Sequence, residues 1–337
     1  MNKFTYGSVC SGIESVSCAW HDFAACEWLS EIEAFPSAVL AHHYPTVPNL
    51  GDMTKIKDKI LSGEIDAPDV LVGGTPCQAF SVAGERKSLD DERGQLTLAF
   101  IELADAIDEV RAKNGKQPTI ILWENVPGVL STKDNAFGCL LGGLARADSE
   151  LQPSGKKWGN FGFIGGQREV AWRVLDSQHF GVPQRRKRVF VVASARKLSV
   201  GGVLFEHKKH MEPSEKRGEI GGFGAGSSFE KVARESDGLV IYNNGSMGGV
   251  LKPTFPFPTL TTKSGANEGA LIEHKDWARR LTSVECERLQ GFPDNYTLIE
   301  VKGRPASHAA RAKAVGNSMT VQVMRWIGKR IGNFIES

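Results

Sequence analysis

A chain of 337 residues suggests about two domains, and 41% hydrophobic with 24% charged residues is the composition of a folded globular protein, which excludes a disordered or fibrous one. A net charge of +2 excludes nucleic-acid binding through a globally basic surface, so any such binding must come from local clusters. No apolar run approaches the roughly 20 residues of a membrane span, and residues 1–23 lack the basic start and apolar stretch of a secretion signal. Cys10, Cys18, Cys26, Cys77, Cys139 and Cys286 form no C-x-x-C pair and read as free thiols. His207 and His210 lie in a basic polar stretch without further ligands, which reads as a solvated loop. The expectation is a cytoplasmic protein with neither a membrane partner nor a metal.

The first candidate strand, 5–9, runs into Val9-Cys10-Ser11-Gly12-Ile13, a turn that can present backbone N–H groups to a ligand. The second, 24–30, ends at Glu31, whose carboxylate there can accept both hydroxyls of a ribose. A glycine after a strand is common, however, and Glu31 can equally be a surface residue. Asp52, in Gly51-Asp52-Met53, can bond an adenine amino group or cap a helix starting at Thr54.

Strand 70–72 delivers Gly73-Gly74-Thr75-Pro76-Cys77-Gln78-Ala79-Phe80-Ser81. Glycines allow close backbone approach, and proline restricts the thiol. Cys77 is then either a nucleophile needing a positive field to become thiolate, or a small buried hydrophobe. Phe100, Leu103, Ile107 and Val110 recur at helical spacing, with Glu102, Asp105, Asp108 and Glu109 facing away, so a helix covers one sheet face. Strand 119–123 ends at Glu124-Asn125-Val126, where apolar neighbours would raise a carboxyl's pKa enough for it to donate a proton to a ring nitrogen. The structural alternative is a carboxylate bonded to loop N–H groups.

Strand 170–175 precedes Gln184-Arg185-Arg186-Lys187-Arg188, four cations in five residues, which lead into strand 189–193. They read as a solvated turn or as a binding cluster. Strands alternating with amphipathic segments imply a mostly parallel sheet with crossover helices. From residue 199 the sequence becomes Gly-rich and weakly periodic, a second domain or an insertion. Order returns at Leu281, where Thr282 and Glu285 fit a capping box, and a helix around 321–334 closes the chain.

These segments, in this order, resemble the cytosine-5 DNA methyltransferase family of bacterial or phage type. Gly74-Thr75-Pro76-Cys77-Gln78 resembles its nucleophile loop, Glu124-Asn125-Val126 its acid motif and Gln184-x-Arg186-x-Arg188 its basic motif. Arg280-Leu281-Thr282 with Glu285 and Arg288-Leu289-Gln290-Gly291-Phe292-Pro293 look like a ninth motif, and Gly316-Asn317-Ser318 like the last. The similarity covers residues 4–195 and 279–334.

The resemblance implies an α/β fold: a Rossmann-like S-adenosylmethionine-dependent methyltransferase domain (1–198 and 279–337) with a smaller, loop-rich target-recognition domain (199–278). It implies that Cys77 adds to carbon 6 of a flipped cytosine in double-stranded DNA while Glu124 protonates or hydrogen-bonds N3. Arg186 or Arg188 would hold the base carbonyl. Cofactor contacts fall to Cys10, Ser11, Gly12, Ile13, Glu31, Ile32, Asp52, Met53, Gly74, Asn317 and Ser318. DNA contacts fall to Gln78, Ser81, Gln184, Arg186 and the Thr259-Leu260 pair, with residues 79–94 as a mobile lid and the protein acting as a monomer.

Two departures from the family pattern stand out. Many members carry an Asp, an aromatic and a Gly-Gly pair where this chain has Ser8, Cys10 and Glu14-Ser15, which removes a stacking surface for the adenine. Thr75 replaces a proline common in the nucleophile loop, an exchange expected to loosen it slightly. The alternatives are a cytosine-5 methyltransferase acting on transfer RNA and a catalytically silent DNA-binding relative.

Overall fold

The computed structural model describes residues 3–75, 92–197, 199–206, 240–243, 252–253, 256–260, 271–274 and 277–337. The first half alternates strands and helices: β1 (Phe4–Val9), α1 (Ser15–Trp20), β2 (Ala24–Ser30), α2 (Ala34–His43), α3 (Ile56–Leu61), β3 (Val70–Gly73), α4 (Glu92–Lys113), β4 (Ile120–Asn125) and α5 (Ala136–Ala145). An antiparallel run follows, β5 (Phe161–Ile164), β6 (Glu169–Asp176) and β7 (Lys187–Ser194), then the short α6 (Gly201–Leu204). Beyond it lie β8 (Val240–Asn243), β9 (Lys252–Pro253), β10 (Leu271–His274) and β11 (Trp277–Arg280). The chain ends in α7 (Ser283–Gln290), the hairpin β12 (Glu300–Val301) and β13 (Arg304–Pro305), α8 (His308–Asn317) and α9 (Val321–Glu336).

Seven strands form one sheet in the order β2-β1-β3-β4-β7-β6-β5. The six strands read from the sequence are all present, each within two residues of its expected bounds. The expectation of a mostly parallel sheet holds only for β2-β1-β3-β4, because β7, β6 and β5 pair antiparallel. β5, which the sequence did not mark, is a short edge strand of four residues whose Phe161 and Phe163 stay largely exposed.

β3 is buried along its whole length and β4 over its first four residues, as expected of strands covered on both faces. Side chains alternate between two cores. Tyr6, Val70, Val72, Ile120 and Leu122 face the layer holding α1 and α9, whereas Leu71, Ile121 and Trp123 face α4 and α5. The C-terminal segment belongs to this unit: Trp20 Nε1 donates to Met324 O at 2.7 Å, and Tyr296 Oη donates to Ile13 O at 2.9 Å. Gly328 permits the α1–α9 approach, since a Cβ there would lie 2.2 Å from the Trp20 ring. The capping box forms as anticipated, with Thr282 and Glu285 bonding each other's backbone at the start of α7.

β8, β9, β10 and β11 form a separate antiparallel sheet in the order β11-β10-β8-β9. No helix among the described residues is long and apolar enough to cross a membrane.

Candidate functional site

The registers decide what meets where. Ser30 lies beside Val9, Val9 beside Gly73, and Gly73 beside Trp123, so the carboxyl ends of β2, β1, β3 and β4 share one edge. β1 is followed by β2 on one side and flanked by β3 on the other, the switch point at which open α/β sheets form a crevice. β7 runs the opposite way, with Val189 opposite Asn125, so its amino end brings Arg186 and Arg188 to that same edge. A cavity of about 480 Å3 opens there, lined by residues that include Cys10, Gly12, Glu31, Ile32, Asp52, Met53, Gly74, Glu124, Arg186, Arg188 and Asn317. At Gly74 a Cβ would sit 3.2 Å from Met319 Cε and 3.4 Å from Glu124 Oε2, a tight contact that the Met319 side chain would have to yield to.

On the β1–β2 side, Glu31 is fixed by backbone donors. Gly12 N donates to Oε2 at 2.8 Å, while Ile32 N and Glu33 N donate to Oε1 at 2.8 and 2.7 Å. Its carboxylate therefore ties the β1 turn to the end of β2 while facing the cavity. Asp52 is the N-cap of the turn at Met53–Lys55, accepting from Thr54 N and Oγ1, as the structural alternative had it, and it also lines the cavity. Ile32, 77% exposed, presents an apolar surface at the rim, and Pro36, Met53 and Ala314 add apolar wall.

The turn itself is strained: Cys10 (φ 50°) and Glu14 (φ 61°) adopt the left-handed conformation, at roughly 1 kcal/mol or more each. Burial pushes the Cys10 thiol up to about 12, so it stays protonated. Ser11 spends its hydroxyl on Ser8 O and Ser30 O and lines only a small side recess. Ile13 does not reach the cavity; its side chain is core, 1% exposed. Ser318 likewise opens on the recess, whereas Asn317 borders both spaces.

On the other side, Glu124 is mostly enclosed, with Arg188 Nε 3.1 Å from Oε1. Burial raises its carboxyl above the usual carboxylate range against the opposing pull of Arg188 and Arg186. Neither reading of the basic cluster is complete, because its residues alternate with strand periodicity. Gln184, Arg186 and Arg188 turn inward and Arg185 and Lys187 outward.

Two of the inward residues also carry structural bonds that the sequence did not announce. Gln184 is fully buried, donating to Leu289 O and Gln290 Oε1 and accepting from Leu260 N, so its amide braces α7. Arg186 donates to Leu260 O (2.9 Å), Gly316 O (3.0 Å) and Ser318 O (2.8 Å). Among the described residues its Nε finds no partner, and Arg186 lines the cavity. Arg186 thus clamps three segments, and Arg188 alone is paired with Glu124.

The Thr259-Leu260 pair belongs to the same clamp. Phe257 exchanges backbone hydrogen bonds with Pro183 and Arg185, and Thr259 Oγ1 donates to Arg185 O at 2.7 Å. Leu260 is 2% exposed, packed into the core among the described residues.

Cys77, Gln78 and Ser81 lie outside the described residues, as do His207, His210 and most of the expected lid. Thr75, the last described residue before Pro76-Cys77, is anchored from β4. Trp123 Nε1 donates to Thr75 Oγ1 at 2.9 Å, and Asn125 Nδ2 donates to Thr75 O at 2.7 Å. Asn125 was missed as a site residue, although its place beside Glu124 was the available signal. Among the described residues no group of three or more His, Cys, Asp or Glu comes together as a metal site.

Residues 4–232 and 202–333 match the model of the C-5 cytosine-specific DNA methylase family. A protein of Escherichia phage P1 described as a DNA N-6-adenine-methyltransferase is 40% identical over an alignment covering 98% of this chain, which spans 61% of that protein's length. The type II methyltransferase M2.BsuMI of Bacillus subtilis is 29% identical over 96% of this chain and 74% of its own. Among solved structures, the Dnmt2 methyltransferase of S. pombe superposes with a TM-score of 0.63 at 18% identity, covering 99% of both chains, which is a likeness of fold.

Proposed function

The chain belongs to the C-5 cytosine-specific DNA methylase family, and on that premise we propose that it methylates carbon 5 of a flipped cytosine in duplex DNA, using S-adenosylmethionine and a covalent Cys77–C6 adduct. The observation that carries this reading is the enclosed Glu124–Arg188 pair on the wall of the cavity that Gly74 and Thr75 also line, two residues before Pro76-Cys77. A carboxyl raised by burial is better able to give a proton or hydrogen bond to a ring nitrogen, and a guanidinium held against it can bind the adjacent ring carbonyl. Adding a thiolate to carbon 6 places negative charge on that nitrogen and carbonyl, so the pair stabilises the charge where it develops.

The residues around the cavity suit the cofactor. The Glu31 carboxylate faces it for ribose hydroxyls, Asp52 offers an acceptor to an amino group, and Ile32, Pro36 and Met53 supply apolar contact where the family aromatic is absent. Bound there, S-adenosylmethionine supplies an electrophilic methyl group on a sulfonium. Gly12 and Gly74 keep the walls free of Cβ atoms, and Glu31, pre-oriented by three N–H donors, loses little freedom on binding.

In this reading 1–198 with 279–337 is the catalytic domain and 199–278 recognises the target. The strap from Phe257 to Leu260 onto Pro183–Arg186 joins them, and outward Arg185 and Lys187 are suited to phosphates beside the cavity.

A second reading follows from the printed name of the phage P1 relative, adenine N6 methylation. An exocyclic amine attacks a methyl sulfonium with its own lone pair and needs neither a thiol nor a proton donor at a ring nitrogen, so the Glu124 site favours cytosine. Nucleoside mass spectrometry after incubating the protein with labelled cofactor and duplex DNA or total transfer RNA separates the readings. Labelled 5-methylcytosine in DNA is expected. Label in N6-methyladenine, or in RNA alone, overturns the proposal.

A further inference from the structure

Glu14 occupies a position where many family members carry glycine, yet it is wholly buried and in the left-handed conformation. Its carboxylate is met only by neutral donors: Ser8 Oγ at 3.0 Å, Ser17 N at 3.0 Å and Ser17 Oγ at 3.2 Å. No ion pair to it forms among the described residues. The groups acting on it are Tyr6 from β1, Cys18 from α1, Cys26 and Glu31 from β2 and its end, Tyr44 after α2 and Tyr296 after α7. Burial raises the thiols and phenols among them, so they stay neutral around pH 7. Arg325 from α9 acts on Cys18 and bonds Ala19 O and Asp22, and among the described residues no cation forms an ion pair with the Glu14 carboxylate, whose charged neighbour Glu31 is itself an acid.

Ser8, which links to Glu14, also lines the side recess of about 50 Å3, together with Ser15, Gly74, Glu124 and Asn317. That is room for roughly four water-sized groups. Gly74, Glu124 and Asn317 are shared with the main cavity, so the recess is a branch of it. The Ser8 hydroxyl donates to Glu14 and keeps lone pairs that can accept from a ligand N–H. A cation bonded to Ser8 would stand about 5–6 Å from the carboxylate, a range at which opposite charges favour ionisation.

We propose that Glu14, acting through Ser8, is the counter-charge for the α-ammonium group of S-adenosylmethionine, with that group entering the recess. The inference rests on the cofactor reading above. Glu14 is a positioning residue, and its ionisation is linked to binding: the carboxyl, pushed up to about 7 by burial, releases a proton to solvent as the ammonium arrives. Cofactor affinity then rises as pH increases towards and just past 7.

Isothermal titration of S-adenosylmethionine, S-adenosylhomocysteine and methylthioadenosine at pH 6.0 and 7.5, in buffers of different ionisation heat, tests this. Wild type should bind both amino-acid-bearing ligands about fivefold more tightly at pH 7.5, with proton release, because one pK unit of coupling is tenfold. Glu14→Gln and Ser8→Ala should weaken both by about tenfold and flatten the pH dependence, leaving methylthioadenosine, which lacks the amino acid, unchanged. Thermal melting confirms that each variant is folded, and Ser8→Ala carries the test if Glu14→Gln is not. Folded variants with wild-type affinity and pH profile, or a loss confined to the sulfonium ligand, overturn the assignment while leaving the cofactor reading intact. Wild type binding none of the three overturns both.

Discussion

Arg188 and Glu124 stand on the adjacent antiparallel strands β7 and β4, and their side chains meet at the cavity wall with Nε 3.1 Å from Oε1. Burial works against the charge of each, and their mutual attraction opposes it. Replacing Arg188 with alanine leaves Glu124 enclosed with its principal counter-charge gone, so its carboxyl rises further. If the protonated acid is the working form, activity present at low pH is lost as pH rises through the Glu124 pKa. Arg188→Ala should lower kcat by at least about 100-fold and move the alkaline limb of its pH profile upward by about one unit. A limb that moves down would contradict the pairing as the source of the effect.

Cys77→Ala should abolish methyl transfer while leaving DNA and cofactor binding within roughly tenfold, because a thiol that adds to the base contributes covalent catalysis rather than affinity. DNA with 5-fluorocytosine at the target should form with wild type a complex that survives denaturing electrophoresis. Equal trapping by Cys77→Ala would remove Cys77 from the mechanism.

Glu31→Ala removes a cavity carboxylate and also frees the N–H groups of Gly12, Ile32 and Glu33. Cofactor binding should weaken by about 1–3 kcal/mol with little change in the chemical step. Glu31→Gln keeps one carbonyl acceptor for the backbone and should lose less. Unaltered titration calorimetry for Glu31→Ala would eliminate the ribose assignment.

Arg186 and the outward residues beside it should separate cleanly. Arg186→Ala leaves the carbonyls of Leu260, Gly316 and Ser318 without their donor, so stability should fall by about 3 kcal/mol or more. Arg185→Ala with Lys187→Ala should leave the melting temperature unchanged and weaken DNA binding more at low salt than at high salt. A melting temperature for Arg186→Ala equal to wild type would show that the clamp is dispensable.

Glu14 makes the stability of the ligand-free protein depend on pH. Its folded carboxyl, at about 7, lies above the usual 4.5, so the stability it contributes is present below about pH 4.5 and is lost as pH rises through 7. The difference spans about 3 kcal/mol at 1.36 kcal/mol per unit. Denaturant titrations of wild type and Glu14→Gln across pH 5–8 should diverge in that sense, wild type losing stability relative to the variant. Parallel curves would mean that Glu14 does not titrate in this range.

The strands 70–72 and 119–123 were legible because burial on both faces demands continuous apolar runs, and that demand is local; 5–9 and 24–30 were legible as short, mostly apolar segments between turns. The chemistry at their ends, Glu31, Gly74 and Glu124, was legible for the same reason: a strand's end is where its residues leave the sheet. The capping box at Thr282 and Glu285 is likewise a contact between near neighbours in sequence.

Direction, depth and partnership were decided by the fold. The apolar run 189–193 carries no mark of which way the strand points, yet only the antiparallel setting of β7 brings Arg188 to Glu124 rather than to the opposite edge of the sheet. Gln184, Arg186 and Arg188 share one face by periodicity, but what they meet is remote in sequence: Leu289 and Gln290 for Gln184, Leu260, Gly316 and Ser318 for Arg186, and Glu124 for Arg188. Glu14 looked like the loss of a glycine, and only the packing of Ser8 and Ser17 around it made it a buried acid without a counter-charge. Propensity and hydrophobic period act over a few residues, whereas the charge state of a buried group depends on everything within several ångströms of it, most of which is remote in sequence.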